Sequence, residues 1–366
     1  MQLSIVILNY NLQHFLYLCV DSVDRAISKI DAEIIVIDNA STDGSRQAIQ
    51  EAFPHVIWIQ NTQNVGFAKA NNMAVERAKG EFICLLNPDA VVPENTFSEI
   101  LNFANKQKNL GAVGCQLFNG QGDFLPESKR NRLTFPIALM KLLGFNKGYY
   151  NLDLGQNDIG ETDVLVGAFM LLKRKTYHDY NGLDEAFFMF GEDIDFSLRL
   201  QENGLKNLYY GQVKVLHFKG ESALKDSAYA KNFFGAMKIF YKKHFKRNLF
   251  RDIAIRAGEI VIRILARPNH QAQQPSYPMV LISKSEVHNL GSIDISYCQD
   301  QLLFDETEVT YLIDMSHFSY REVLDALCSN YDSHRKQVKF IPKNASFAVG
   351  SNGSNSLGSA IIFETI

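Results

Sequence analysis

The chain has 366 residues, 46% of them hydrophobic, and a formal net charge of -3 at pH 7. That hydrophobic content fills the core of one large domain plus a smaller one and excludes disorder over most of the length. The balance of charge leaves no global basic footprint, so nucleic acid is not an expected partner. Cys19, Cys84, Cys115, Cys298 and Cys328 stand without paired spacing, which argues against a disulfide framework or a zinc site and suits a reducing cytoplasm. The opening MQLSIVILNYN has no basic leader and only a short apolar run, so it is expected to be a buried first strand. No run of about 18 apolar residues predicts a membrane span.

Along the first half, LSIVIL, FLYLCVDSVDRAI, EIIVID, SRQAIQEAF, VIWIQN, ANNMAVERA and EFICLLN alternate strand and helix patterns. This is the signature of βαβ units, hence of a parallel sheet with helices on both faces. Ligands of such sheets sit outside the carboxyl ends of the strands. The residues found there are Asn9-Tyr10-Asn11, DNASTDGS from Asp38, NTQNVGFAKANN and Asn87-Pro88-Asp89. Each alone is ordinary turn chemistry, but four in succession on one edge point to a site. No GxGxxG or GxxxxGK[ST] occurs, so neither a dinucleotide fingerprint nor a Walker loop is present.

Further on, FMFGEDIDFSLRL crowds Glu192, Asp193 and Asp195 ahead of an apolar helical pattern. A helix beginning near Glu192 and stopped by Gly204 explains part of the crowding, because carboxylates are stabilised in a first turn. After this unit comes a basic segment, residues 226–268, which from Tyr229 on carries ten Lys or Arg against two acids in a helical, aromatic pattern. Two readings stay open: an amphipathic segment on an anionic membrane surface, or a packing helix with a solvated basic face. Residues 269–276 form a polar linker. Beyond it YPMVLIS, VTYLIDM, SYREVLDALCSNY and QVKFIPK predict a small α/β module over 277–366, with a second parallel sheet. SFAVGSNGSNSLGSAIIFE is expected to be a hairpin or surface loop rather than a phosphate cradle, since it lacks a Lys and Walker spacing.

The motifs VILNYN, VIDNASTDGS, NVGFAKANN, LLNPDAVV, VGAFMLLKR and FMFGEDIDFSLRL, in that order, resemble those of the family 2 glycosyltransferases of GT-A fold, in particular the bacterial rhamnosyltransferase-like branch. The resemblance spans about residues 3–217. It implies a catalytic domain over 1–225 of GT-A, Rossmann-like α/β architecture and leaves the basic helical segment and the small C-terminal module unexplained. It further implies a nucleotide-diphosphate sugar donor of dTDP or UDP type, Mg²⁺ or Mn²⁺, and a glycan or lipid-linked acceptor in cell-surface polysaccharide synthesis. The implied location is the cytoplasm, peripheral to the inner face of the plasma membrane.

By the same resemblance Asn9 and Tyr10 lie at the nucleotide, with Tyr10 against the pyrimidine. Asp38 hydrogen-bonds the base or ribose, and Asn64, Gly66 and Asn72 shape the pocket floor. Asp89 matches the second acid of the family's DxD metal motif, whose first position is here Asn87. One carboxylate suffices when diphosphate oxygens and waters complete the octahedron. His217 matches a metal-ligand histidine of some members, although a His at a strand end also serves as a simple hydrogen-bonding group. Asp193 is the implied general base of an inverting transfer, and Glu192 orients the acceptor or the base. Asp195 and Arg199 are expected to be a structural pair at helical spacing. A nucleotidyltransferase and a catalytically silent nucleotide-sugar-binding scaffold are the alternatives. The first would show a Gly-rich loop with Arg and Lys after the first strand, where NYNLQHF stands, and the second draws only on the missing first acid.

Overall fold

The computed structural model describes residues 1–142, 145–219, 227–245, 277–284, 295–304, 309–329, 337–351 and 358–363. The chain opens with β1 (Leu3–Asn9), α1 (Gln13–Ile27), β2 (Ala32–Asp38), α2 (Ser45–Ala52), β3 (Ile57–Gln60), α3 (Phe67–Val75) and β4 (Phe82–Leu86). Every residue of β1 and β4 is buried, as parallel strands covered on both faces require. On α1, Leu16, Cys19, Val20 and Val23 are buried at helical spacing, giving the stripe that packs on the sheet. Parallel pairing sets Asn9 opposite Asp38 and Ile7 opposite Leu86. The polar residues that follow these strands therefore emerge along one edge.

There follow β5 (Ala90–Val91), α4 (Thr96–Ala104), β6 (Leu110–Phe118), α5 (Phe135–Leu142), β7 (Ile159–Glu161), β8 (Phe169–Lys173), α6 (Arg174–Asp179), α7 (Glu192–Glu202) and β9 (Lys206–His217). The strand order is β3-β2-β1-β4-β8-β6-β9-β5, with β7 beside β9. β8 runs antiparallel to β4 and β6, whereas β6 and β9 are parallel, so the sheet is mixed but mostly parallel. Its two faces carry separate cores, one with Leu16, Phe97, Ile100 and Leu117, the other with Ala70, Ala74, Tyr177, Phe196 and Leu200. α7 begins at Glu192 and ends before Gly204, whose φ of 79° is the left-handed stop that glycine accepts without strain.

α8 (Ser227–His244) takes up the start of the basic segment. Lys246, Arg247, the rest of that segment and the linker over 269–276 lie outside the described residues. The second sheet is built from β10 (Met279–Ile282), β11 (Ile295–Gln299), β12 (Thr310–Asp314), β13 (Gln337–Ile341), β14 (Phe347–Gly350) and β15 (Ser359–Ile362), with α9 (Tyr320–Ser329) between β12 and β13. Its order is β11-β10-β12-β13-β14-β15. The first four strands are parallel, and β14 and β15 form an antiparallel hairpin whose connecting residues 352–357 lie outside the described set.

The module is tied to α1. The buried Tyr320 hydroxyl donates to Asp21 Oδ2 at 2.6 Å, and Arg25 Nη1 donates to the Met315 carbonyl at 2.8 Å. Glu94 accepts from Tyr320 N at 2.8 Å and Arg321 N at 3.0 Å, placing a carboxylate at the positive end of α9. Phe340 meets Phe218 edge-on at 6.1 Å, so the module packs directly behind the end of β9.

Candidate active site

At the edge made by β1 and β2, Asp38 is buried and already engaged. Asn9 Nδ2 donates to its Oδ2 at 3.0 Å, while Ser41 N at 2.7 Å and Gln60 Nε2 at 2.9 Å donate to Oδ1. A carboxylate has about four lone-pair sites, so one remains for a ligand. Tyr10 stands 44% exposed beside this cluster, held out by Asn11 at φ 54°. The next loop is tied to the same edge: Asn39 Nδ2 donates to Asn64 Oδ1 at 3.1 Å and to the Gly66 carbonyl at 3.2 Å. Gly66 has φ 90°, and a Cβ there would meet the Phe188 carbonyl oxygen at 2.7 Å. Glycine is thus needed both for its backbone and for the close approach. Asn72 is differently employed, since its amide holds the Leu183 carbonyl and its Oδ1 takes the Tyr177 hydroxyl. Its side chain braces the loop before α7.

β4 ends at Asn87-Pro88-Asp89, and the short antiparallel pairing of β5 with β9 sets Ala90 opposite His217. Asp89 and His217 consequently meet in the interior, with Nε2 3.4 Å from Asp89 Oδ1 and 3.3 Å from Asn87 Nδ2. Both Asp89 oxygens, Asn87 Oδ1 and His217 Nδ1 are buried without a hydrogen-bond partner. Burying a carboxylate without a hydrogen bond is costly, and a positive ligand at this corner would offset that cost. No set of three or more His, Cys, Asp or Glu gathers for a metal among the described residues. Protein ligation would rest on Asp89 and His217, with diphosphate oxygens and water completing the shell. Nearby Lys219, at φ 58°, pairs with Glu127. Burial works against the charge of Glu127, but Lys219 outweighs it and lowers the carboxyl's pKa.

The third element is the start of α7. Asp193 Oδ2 accepts from Arg130 Nη2 at 2.7 Å and from Gly167 N at 3.1 Å, and its Oδ1 accepts from Ile194 N at 2.7 Å. Arg130 also reaches the Leu165 carbonyl at 3.0 Å. Burial opposes its charge, yet Asp193 and Tyr149 outweigh burial and raise its pKa. Glu192 is the contrasting neighbour: burial, and then the charge of Asp193, push its carboxyl up to about 8. At neutral pH it holds a proton. The Asp193 and Asn87 sides of the site are stitched by adjacent residues, since Gly167 N donates to Asp193 and Asn87 N donates to the Ala168 carbonyl at 3.0 Å.

Asp195, two residues on, is fully buried among Arg199, Lys243 and His244, and pairs with Arg199 at the expected i,i+4 spacing. The same network settles α8. Lys243 points inward to Asp195 and Asp184, and Phe240 and Ala236 pack with Phe187 and Leu198. The described part of the basic segment is thus a packing helix on this side. Arg130 carries no readable signal in the sequence; it stands in the polar run SKRNR, and only the fold brings it to Asp193.

The sheet order thus gathers the strand-end polar clusters and the acidic helix start on one side of a mixed, mostly parallel α/β sheet. Residues 4–180, just under half of the chain, match the model of Glycosyl transferase family 2. The match ends before Glu192, Asp193 and His217. The chain is 25% identical to an N-acetylglucosaminyl-diphospho-decaprenol L-rhamnosyltransferase of Mycobacterium tuberculosis, over 53% of this chain and 69% of that one. It is 24% identical to the low-salt glycan biosynthesis hexosyltransferase Agl10 of Haloferax volcanii, over 72% and 84%. A solved structure of the mannosyltransferase PcManGT from Pyrobaculum calidifontis, in complex with GDP-Man and Mn²⁺, aligns at 18% identity over 71% of this chain and 69% of that one, with a TM-score of 0.48. Among the described residues no helix is long and apolar enough to cross a membrane.

Proposed function

We propose that the chain is an inverting transferase that moves a sugar, rhamnose foremost, from a dTDP or UDP donor to a hydroxyl of a glycan or lipid-linked acceptor in cell-surface polysaccharide synthesis. Its catalytic unit is residues 1–225, followed by the basic segment 226–268 and the module 277–366. It works on the cytoplasmic side, peripheral to the inner face of the plasma membrane. The observation that carries this reading is the pair of carboxylates on either side of residues 167–168. Asp89 is buried with both oxygens unsatisfied beside His217, and Asp193 is fixed by Arg130.

A divalent cation, Mg²⁺ or Mn²⁺, held by Asp89 and His217 would supply positive charge to the departing diphosphate. The orphaned oxygens and the imidazole fit such an ion. Tyr10 offers an aromatic face to the base, Asp38 its remaining lone pair to the ribose or base, and Gly66 a close backbone approach. Asp193 takes the proton of the acceptor hydroxyl. That oxygen forms its bond to the anomeric carbon as the bond from that carbon to the nucleotide diphosphate breaks, and a single displacement inverts the centre. Glu192, still protonated, can donate a hydrogen bond to the acceptor. The two carboxyl groups are sequence neighbours at one helix start, not a pair astride a glycosidic bond as hydrolysis requires.

The test is a thermal-shift panel of nucleotide sugars with Mn²⁺ or Mg²⁺, followed by transfer assays with the donor that binds. A donor at about 100 times its dissociation constant should add roughly 2.7 kcal/mol of stability. Absence of a shift with every nucleotide sugar refutes the reading.

A further inference from the structure

Residues 128–152 contain no Asp or Glu but carry Lys129, Arg130, Arg132, Lys141 and Lys147. α8 also has no acid, and it carries Lys231, Lys238, Lys242 and Lys243. In a chain of net charge -3 this is a local reversal of sign. The two segments meet, because Ala138 and Phe135 of α5 pack with Phe234 and Tyr241 of α8. Lys231, Lys238 and Lys242 are exposed and recur at helical spacing, so they form one stripe flanking the Phe234 and Tyr241 face. Lys243 is the exception, turned inward to Asp184 and Asp195.

The outer side of α5 has the opposite character. Met140 is 40% exposed and Phe145, whose N–H donates to the Met140 carbonyl at 2.9 Å, is 57% exposed. Exposed apolar side chains in a segment that carries Lys141 and Lys147 and no acid suit the headgroup boundary of a bilayer. From this tip a line of cations and rings leads inward. Lys141 Nζ lies 4.8 Å and 4.4 Å from the ring centres of Tyr149 and Tyr150, and Arg130, the partner of Asp193, reaches the Tyr149 hydroxyl at 3.5 Å.

We infer that the tip formed by α5, the residues after it and α8 docks on an anionic bilayer. Met140 and Phe145 enter the headgroup region, Lys147, Lys231, Lys238 and Lys242 meet anionic headgroups, and a membrane-borne hydroxyl reaches Asp193 along Lys141 and Tyr149. What is delivered rests on the reading given under Proposed function; the docking itself does not.

The experiment is co-sedimentation of the full chain with phosphatidylcholine vesicles, with and without phosphatidylglycerol, at low and high salt. Binding should require phosphatidylglycerol and weaken as salt screens the lysines. Met140→Ser with Phe145→Ser should weaken binding about tenfold or more, the loss of two inserted apolar groups. Lys231→Glu with Lys242→Glu should weaken it by a similar factor, and both pairs should leave thermal unfolding and nucleotide binding unchanged. Equal binding to both vesicle types, no binding to either, or wild-type binding by the Met140→Ser, Phe145→Ser protein overturns the inference. Vesicle binding by a chain that transfers no sugar would refute the proposed function and leave the docking intact.

Discussion

Asp195→Asn tests whether this carboxylate of α7 is structural, in contrast to the two neighbours proposed to act in transfer. Two cations and an imidazole close on Asp195: Arg199 Nε at 2.8 Å, Lys243 Nζ at 2.9 Å and His244 Nε2 at 2.7 Å. Burial works against an ionised carboxyl here, but His244, Lys243 and Arg199 outweigh it and hold the pKa at about 2. The amide keeps the shape and loses the charge. Removing one partner of a buried ion pair costs about 3–5 kcal/mol. Lys243 retains Asp184 at 2.6 Å and is 34% exposed, so it can relax toward water. The expected loss is therefore at or just below the lower end, about 2–3 kcal/mol. Because the folded pKa is depressed, the stabilisation is complete above the unfolded value of about 4 and is lost as pH falls through about 2. Chemical denaturation should show the full gap between wild type and variant at pH 7 and a smaller one below about pH 3. Nucleotide-sugar affinity should not change. Equal stability at pH 7, or lost donor affinity in a fully stable variant, would refute the structural role.

Glu192→Gln should remove a limb near pH 8 from the rate profile of transfer, since the wild-type carboxyl loses its proton there. The folded pKa lies above the unfolded one, so wild-type stability falls from about pH 4.5 to pH 8 and then levels, a slope that denaturation of the variant should lack. Asp89→Asn should weaken the metal dependence of nucleotide binding in a titration with UDP or dTDP, and unchanged metal affinity would take Asp89 out of the site. Gly66→Ala sets a Cβ against the Phe188 carbonyl at a positive φ. It should cost about 1–3 kcal/mol and weaken donor binding, which calorimetry and thermal unfolding would report together.

β1, β2 and β4 are legible because parallel strands buried on both faces leave continuous apolar runs, and the polar residues behind them mark the edge directly. The direction of β8 is not, since an apolar run such as FMLLK reads the same whether its neighbours are parallel or antiparallel. The meeting of Asp89 with His217 depends on β5, a strand of two residues, too short for any periodicity. Asn72 shares a motif with Asn64 and Gly66, which are tied to Asn39, yet its own side chain turns to Leu183 and Tyr177. Lys243 belongs to a run of basic residues that looks uniform in sequence, but helical rotation turns it toward Asp195 while Lys242 faces out. Arg130 is recognisable only from the fold, because what singles it out is a carboxylate on a distant helix.

Transfer by Asp193→Asn, measured in single turnover beside the affinity for the same nucleotide sugar, bears most directly on the assignment of the base. The amide can still accept from Arg130 but leaves that buried cation without its counter-charge, so the fold should lose about 3–5 kcal/mol, with donor affinity unchanged and the rate lowered about 10²- to 10⁴-fold. Turnover at the wild-type rate would contradict it.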